Sequence, residues 1–110
     1  MDRETAQAAS RLLAALNKKY IITKAIVFGS RARGDHRPSS DLDILLVSPD
    51  FSALPFIDRP AEVLRYWDGK YDPEPLCYTP EEYERLRGMM GIVTVADREG
   101  EVMAQSVALI

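Results

Sequence analysis

The chain has 110 residues, 46% of them hydrophobic and 28% charged, with a formal net charge of −3. This composition predicts one globular domain over 1–110 and argues against disorder; the acidic balance makes a nucleic-acid partner unexpected. The single cysteine, Cys77, excludes an internal disulfide and argues against a cysteine-based zinc site. The sequence contains no apolar run of about 20 residues, so we expect no membrane span and predict a cytoplasmic protein.

The first third of the chain predicts a helix, a buried strand and a short helical turn. Apolar residues recur at helical spacing over 3–20, which indicates an amphipathic helix. The stretch "KAIVFGS" then reads as a strand that ends at Gly29. The following "SRARG" fits one or two helical turns with Ser30 as the cap and Gly34 as the stop.

The middle of the chain alternates strands with helices. Residues 41–47, "DLDILLV", predict a strand, and the stretch 59–69 predicts a helix with Pro60 near its start and Gly69 as its stop signal. A short strand is expected at 74–78. Residues 79–88 then carry a capping box, which is a strong helix-start signal. This alternation predicts an α/β domain in which helices cover a small sheet.

The sequence of the last quarter of the chain permits more than one secondary structure. Periodicity over 89–99 permits a helix, but the run Val93-Thr94-Val95 favours a strand by propensity. Gly100 ends that element in either case. The apolar stretch 102–110 has three alternatives: it pairs with a strand, packs on the core or binds a partner.

Two aspartates stand one residue apart at the start of the strand over 41–47. Side chains at i and i+2 of a strand point to the same face, so Asp41 and Asp43 are expected to project together. Paired carboxylates of this kind can hold Mg²⁺, which takes oxygen ligands from one or two carboxylates and from substrate phosphates. The alternative is that Asp41 only caps the strand and Asp43 lies on a solvated edge.

A glycine corner precedes this acidic pair. Gly29 lies between a strand and a helical turn, where exposed backbone N–H groups suit a phosphate, and Ser30 adds a hydroxyl donor. Arg31 and Arg33 are candidates for binding phosphate oxygens; the alternative is a solvated basic turn. A Walker-type loop is excluded, because the residues after Gly34 are not Lys and Ser or Thr.

The combination of these residues resembles a known signature. Gly29-Ser30, Gly34 and the block Ser40-Asp41-Leu42-Asp43 together are similar to the polymerase-beta-type nucleotidyltransferases. The chain most resembles their minimal prokaryotic members, often encoded beside a HEPN-domain protein. The resemblance implies an α+β nucleotidyltransferase fold with a small mixed sheet flanked by helices. It also implies that the aspartates bind two Mg²⁺ ions while the Gly-Ser corner, with Ser40, holds the phosphates of ATP.

The family pattern also requires a third carboxylate on a neighbouring strand. The resemblance assigns this catalytic and metal-binding role to Glu74, which begins the short strand at 74–78, with Asp72 as the alternative. The competing interpretation is an acidic turn ahead of an edge strand, because the prolines beside Glu74 are tolerated at sheet edges.

The resemblance further implies an activity and a partner. In the HEPN-paired family the small protein acts as an antitoxin that transfers AMP from ATP to a hydroxyl group, typically of a tyrosine, on its toxin partner. We therefore expect a HEPN-domain partner and a homo- or hetero-oligomer. Two alternatives stay open: a catalytically silent module that neutralises its partner by occlusion, and an enzyme that modifies a small molecule.

Overall fold

The structure, a computed structural model, describes the backbone of residues 1–105 and the side chains of residues 1–104. Within that range it contains five α-helices, two 3-10 turns and four strands. The helices are α1 (Arg3–Leu16), α2 (Gly29–Arg33), α3 (Arg59–Leu64), α4 (Pro80–Arg87) and α5 (Ile92–Glu99), the strands are β1 (Lys24–Phe28), β2 (Leu42–Val47), β3 (Pro73–Tyr78) and β4 (Glu101–Gln105), and the 3-10 turns are Pro49–Ala53 and Phe56–Asp58.

The four strands form one mixed sheet in the order β3-β2-β1-β4. Strand β1 pairs antiparallel with both β2 and β4, whereas β2 and β3 are parallel. A parallel pair needs a long crossover, and here the two 3-10 turns and α3 supply it. The expected small mixed sheet flanked by helices is confirmed.

Both faces of the sheet are buried, because side chains alternate across each strand. One face, which includes Val27 and Ile44, packs against the apolar side of α1. The opposite face, which includes Ile26 and Leu45, packs against Tyr83 of α4 and against Val93 and Ala96 of α5. The start of β2 is therefore fixed between two packed layers, and it can carry polar side chains without losing its position.

Two predicted helices are shorter than the sequence pattern indicates. The first ends at Leu16 instead of residue 20, because the chain turns there and brings the ring of Tyr20 to 5.9 Å from that of Phe51. The helix expected over 59–69 ends at Leu64, and Trp67 beyond it donates a hydrogen bond to the carbonyl of Tyr71.

Other local expectations have mixed outcomes. The capping box of α4 is present as predicted, since Thr79 and Glu82 exchange side-chain and backbone hydrogen bonds. Ser30 is not a helix cap, because α2 already begins at Gly29. Of the two alternatives left open for 89–99, the helix applies: α5 covers Val93-Thr94-Val95, and burial of Val93 on the sheet outweighs local β-propensity.

The C-terminal stretch pairs with the sheet as far as it is described. Residues 101–105 form β4 along β1, so pairing is the alternative that applies to them. The rest of the predicted apolar tail, 106–110, lies outside the described residues. None of the helices within 1–105 combines the length and the hydropathy needed to cross a bilayer.

Candidate active site

Three carboxylates meet where β2 and β3 begin. Asp43 of β2 lies directly beside Glu74 of β3 in the parallel register, and Asp41 immediately precedes β2. Leu42 and Ile44 point to the opposite face and are fully buried. Asp41 and Asp43 both lie close enough to Glu74 to raise the pKa of its carboxyl group, and the pairing of Asp43 with Glu74 puts these two side chains on one side of the sheet. The structure brings together the two aspartates and the third carboxylate that the sequence singled out.

The crowding of these groups shifts their protonation. Hydrogen bonding to Asp41, followed by burial and by hydrogen bonding to Asp43, raises the pKa of Glu74 to about 7. Burial, with the negative charge of Asp41, raises the pKa of Asp43, while Glu74 and Arg33 act in the opposite direction. Like charges held this close favour either a shared proton or a bound cation.

Gly29 lies against this cluster. Its φ of +72° is in the left-handed region, and a Cβ atom at this position would lie 2.2 Å from Oδ2 of Asp43. Any side chain here would therefore displace the Asp43 carboxylate as well as strain the backbone. The glycine brings bare backbone next to the acidic cluster, as the expected phosphate corner requires.

The two predicted phosphate-binding arginines occupy different environments. Arg33 is exposed, and its Nε lies 3.1 Å from Oδ2 of Asp35; its positive charge also acts on Asp43. Arg31 is only 1% exposed, and its donors are bonded to internal oxygen acceptors. The assignment of Arg31 to phosphate binding is therefore corrected: the burial and internal bonding of its guanidinium give it a structural position, and Arg33 remains the candidate.

The two serines flank the cluster from different segments. Ser30 is half-buried and follows Gly29 in α2. Ser40 directly precedes Asp41; its hydroxyl oxygen accepts a hydrogen bond from the backbone N–H of Arg37 at 2.9 Å. Its hydroxyl proton is still free to be donated to another acceptor. Both serines therefore stay in the candidate phosphate-binding set.

Two other acidic residues near β3, Asp68 and Asp72, are not paired with Asp43. Asp72 precedes the strand and contributes its backbone carbonyl, which accepts a hydrogen bond from Leu42 at 2.9 Å. Asp68 forms an ion pair with Arg11 at 3.2 Å. Glu74 alone among these three is paired in register with Asp43, so the geometry favours it as the third carboxylate.

The donor set is compatible with a hard cation. Among the described side chains, no group of three or more His, Cys, Asp or Glu residues is arranged so that it could hold a metal ion. Mg²⁺ commonly takes only one or two carboxylates from the protein and completes its shell with substrate phosphates and water. Asp41 and Asp43, with Glu74 beside them, fit a site of this incomplete kind.

Known proteins agree with this architecture. Residues 9–93, more than half of the chain, match the family described as "Nucleotidyltransferase domain". The crystal structure of a "putative nucleotidyltransferase" from Sulfolobus solfataricus has a TM-score of 0.61 at 23% identity, over 89% of this chain and 78% of that chain, which shows a shared fold. No curated protein matches the sequence. The family match spans Gly29, both aspartates and Glu74, and the chain belongs to the nucleotidyltransferase domain family.

Proposed function

We propose that this protein is a metal-dependent nucleotidyltransferase that moves AMP from ATP to a hydroxyl group of a partner protein. The observation that carries the proposal is the placement of Asp41, Asp43 and Glu74 on one side of two adjacent strands, with Gly29 against them. Membership of the nucleotidyltransferase domain family supports nucleotidyl transfer in general. The donor, the acceptor and the metal are parts of the proposal.

The acidic cluster would hold the metal. Asp41 and Asp43 offer carboxylate oxygens for two Mg²⁺ ions, and Glu74 offers a further one. When bound, the ions would lower the pKa of the acceptor hydroxyl and stabilise the charge that develops on the leaving pyrophosphate. The mutual repulsion of the carboxylates, seen in the raised pKa values of Asp43 and Glu74, would be relieved by such cations.

The glycine corner would hold the triphosphate. The backbone at Gly29 and the hydroxyl groups of Ser30 and Ser40 can donate hydrogen bonds to phosphate oxygens. Arg33 is exposed and close enough for its charge to act on Asp43, so its guanidinium is suited to neutralise phosphate charge at the same place.

The reaction is an in-line displacement at the α-phosphorus. The acceptor oxygen forms a bond to this phosphorus while the bond to the β-phosphate oxygen breaks, and pyrophosphate leaves. The acceptor proton passes to Glu74, or to water if Glu74 is committed as a metal ligand. The protein contributes mainly by positioning the two reacting oxygens and the charges around them.

An acceptor on another macromolecule fits the openness of the site. Glu74 lies on an edge strand of the sheet and is exposed, so a hydroxyl group on the surface of a second protein can approach it. The resemblance to minimal nucleotidyltransferases points to a HEPN-domain toxin encoded nearby, with a tyrosine as acceptor. In that setting the modification would neutralise the toxin, and the present chain would be its antitoxin.

The test is a labelling assay with a HEPN-domain protein encoded beside this chain. ATP labelled on the α-phosphate is incubated with both proteins and Mg²⁺, in parallel with ATP labelled on the γ-phosphate. We expect the α-label alone to appear on the partner, because AMP transfer releases the γ-phosphate with pyrophosphate. Asp41→Asn should reduce the transfer at least about 100-fold, whereas Asp72→Asn, a nearby acidic control, should retain it.

The other outcomes identify the alternatives. Inhibition of the partner without any label would show neutralisation by occlusion and would overturn the proposed transfer. Label on a small hydroxylated compound in the absence of protein acceptor would instead indicate a small-molecule enzyme. Unchanged labelling by Asp41→Asn would remove the proposed site.

A further inference from the structure

The side chain of Arg31 is buried next to the candidate site and connects several segments around it. Its Nε donates to the carbonyl of Ser40 at 2.8 Å, Nη2 to the carbonyl of Pro38 at 2.9 Å and Nη1 to the hydroxyl of Thr5 at 3.0 Å. Its guanidinium carbon lies 3.4 Å from the centre of the Tyr71 ring. One side chain thus joins α1, the loop before β2 and the segment before β3.

The loop that Arg31 holds leads directly into Asp41. Two of the three acceptors belong to the segment between α2 and β2, which has no regular secondary structure apart from a turn. Asp43 is different, because it lies within β2 and is registered with both neighbouring strands. Asp41 lies outside the strand, between Ser40, held by Arg31, and Leu42, whose N–H is held by the carbonyl of Asp72.

We propose that Arg31 is a positioning residue, which fixes the Asp41 carboxylate relative to Asp43 so that the pair can bind a divalent cation together with a nucleotide. This inference rests on the proposed function. It assigns Arg31 a role through the loop carbonyls and not through contact with phosphate.

The chemistry of the contacts requires arginine. Its Nε and two Nη groups point in three fixed directions in one plane and here reach three separate acceptors. The planar group can stack on the Tyr71 ring at the same time. Lysine would keep the charge but would offer a single flexible ammonium, so it cannot hold both loop carbonyls and Thr5 in this arrangement.

A second buried arginine provides a matched control. Arg59 is 5% exposed and donates to the carbonyls of Leu54 and Cys77 and to the carboxylate of Glu82. Its contacts lie at the opposite end of β3 from Glu74. Arg59→Lys should therefore disturb a comparable internal network without changing the geometry of Asp41.

The experiment compares Arg31→Lys with Arg59→Lys in the full chain. The probe is α,β-methylene ATP, and the measured quantity is the Mg²⁺ concentration that gives half-maximal binding of this analogue by calorimetry. Positioning residues behind metal ligands typically change metal affinity 10- to 100-fold. We expect Arg31→Lys to raise the Mg²⁺ midpoint about 10-fold and Arg59→Lys to leave it within about two-fold, although both lower the melting temperature.

Amide hydrogen exchange gives a readout that does not depend on nucleotide binding. Arg31→Lys should accelerate exchange in the segment 38–42 selectively, while Arg59→Lys should not. A milder pair, Thr5→Val and Thr5→Ser, tests the same network in case Arg31→Lys fails to fold. Valine removes the hydroxyl acceptor and should reproduce part of the midpoint shift, and serine should restore the wild-type value.

Two results would overturn the proposal. One is an unchanged Mg²⁺ midpoint in Arg31→Lys, and the other is an equal shift in Arg59→Lys, which would show a general loss of stability. If the wild-type protein binds no analogue with Mg²⁺, the proposed function fails, and hydrogen exchange still decides whether Arg31 fixes the loop. Unchanged exchange over 38–42 in both arginine variants would then exclude the positioning role.

Discussion

The pKa values of the acidic residues near the two ends of β2 are shifted in opposite directions. At the start of the strand the pKa of Asp43 is raised mainly by burial, and that of Glu74 mainly by its hydrogen bond to Asp41. At the far end the pKa of Asp97 is lowered, first by its hydrogen bond from Tyr83. The pKa of Glu82 is also lowered: burial acts to raise it, but the hydrogen bonds from Arg59 and Thr79 together outweigh that effect.

The difference separates a stabilising end of β2 from the end that carries the candidate site. Around Glu82 and Asp97 each carboxylate has a cationic partner, and these ion pairs join α3 to α4, α4 to α5 and β1 to α5. Around Asp43 the carboxylates face one another, and Arg33 is the cation that acts on Asp43. Groups held in such an unfavourable state are typical of functional sites, where a ligand supplies the missing charge.

The largest effect is expected from Gly29→Ala, which tests the crowding at the end that carries the candidate site. The new Cβ would clash with Oδ2 of Asp43 at a backbone angle that favours glycine. We expect loss of Mg²⁺-dependent nucleotide binding and a decrease of about 2–3 kcal/mol in the free energy of unfolding. Calorimetric titration and urea denaturation measure the two quantities.

Gly34→Ala is the matched control for that variant. Gly34 also has a positive φ of +86°, but a Cβ there would meet nothing within 4 Å. Gly34→Ala should lower the free energy of unfolding by about 1 kcal/mol and leave nucleotide binding unchanged. If Gly29→Ala behaves like Gly34→Ala, the close approach to Asp43 has no functional meaning.

Glu82→Ala tests the stabilising end. The substitution leaves the buried guanidinium of Arg59 without its carboxylate and removes the acceptor for the Thr79 N–H. The free energy of unfolding should fall by about 2 kcal/mol, with nucleotide binding retained. Glu81→Ala, on the exposed side of the same helical turn, should change stability by less than about 0.5 kcal/mol. Loss of binding in Glu82→Ala would mean that the two ends are not independent.

The pH dependence of stability should distinguish the ends further. The pKa of Glu74 is about 7 in the folded protein against an ordinary value of 4.5, so folding favours its protonated form. The resulting stabilisation is complete below pH 4.5 and is lost as the pH rises through 7. In Glu74→Gln, the change in the free energy of unfolding between low and high pH should be smaller by about 1 kcal/mol. This value is small because Glu74 is exposed and water screens its interactions.

Urea denaturation at several pH values between about 5 and 8 measures this effect. Asp72→Asn, an exposed acidic neighbour, serves as the control and should keep the wild-type profile. A profile for Glu74→Gln that follows the wild type throughout would show that the three carboxylates do not share a proton in solution.

The smallest effect is expected from Lys24→Gln at the stabilising end. The Lys24 ammonium lies 3.6 Å from Oδ1 of Asp97 and 5.0 Å from the centre of the Tyr83 ring. Its removal should cost about 0.5 kcal/mol at low salt and less at about 1 M NaCl, where ion pairs are screened. A loss that does not respond to salt would point to packing of the lysine stem instead of charge.

Local pattern was enough to anticipate the elements that carry the site. The i, i+2 spacing of Asp41 and Asp43 predicted a common face because alternation is a property of a single strand, although β2 itself begins one residue later, at Leu42. The glycine corner and the capping box of α4 are likewise encoded within a few residues. The resemblance to nucleotidyltransferases supplied what local pattern could not, namely the mixed sheet and the link from these strands to Glu74.

Features that depend on distant residues were not predictable in this way. The burial of Arg31 depends on Thr5 and Tyr71, which are remote from it in sequence and have no pattern that connects them to it. The helix over Val93 is favoured by contact with the sheet, which local propensity does not contain. In both cases tertiary packing decides between states that the local sequence leaves open.

The parallel pairing of β2 with β3 has a consequence for how the protein acquires its acidic cluster. Asp43 and Glu74 become neighbours only after the long crossover between their strands has closed, and such non-local pairing is slow compared with hairpin formation. A growing polypeptide that has emerged from the ribosome only as far as β2 would carry both aspartates without the third carboxylate, Glu74. The complete set of three carboxylates should therefore form late in folding, when β3 pairs with β2.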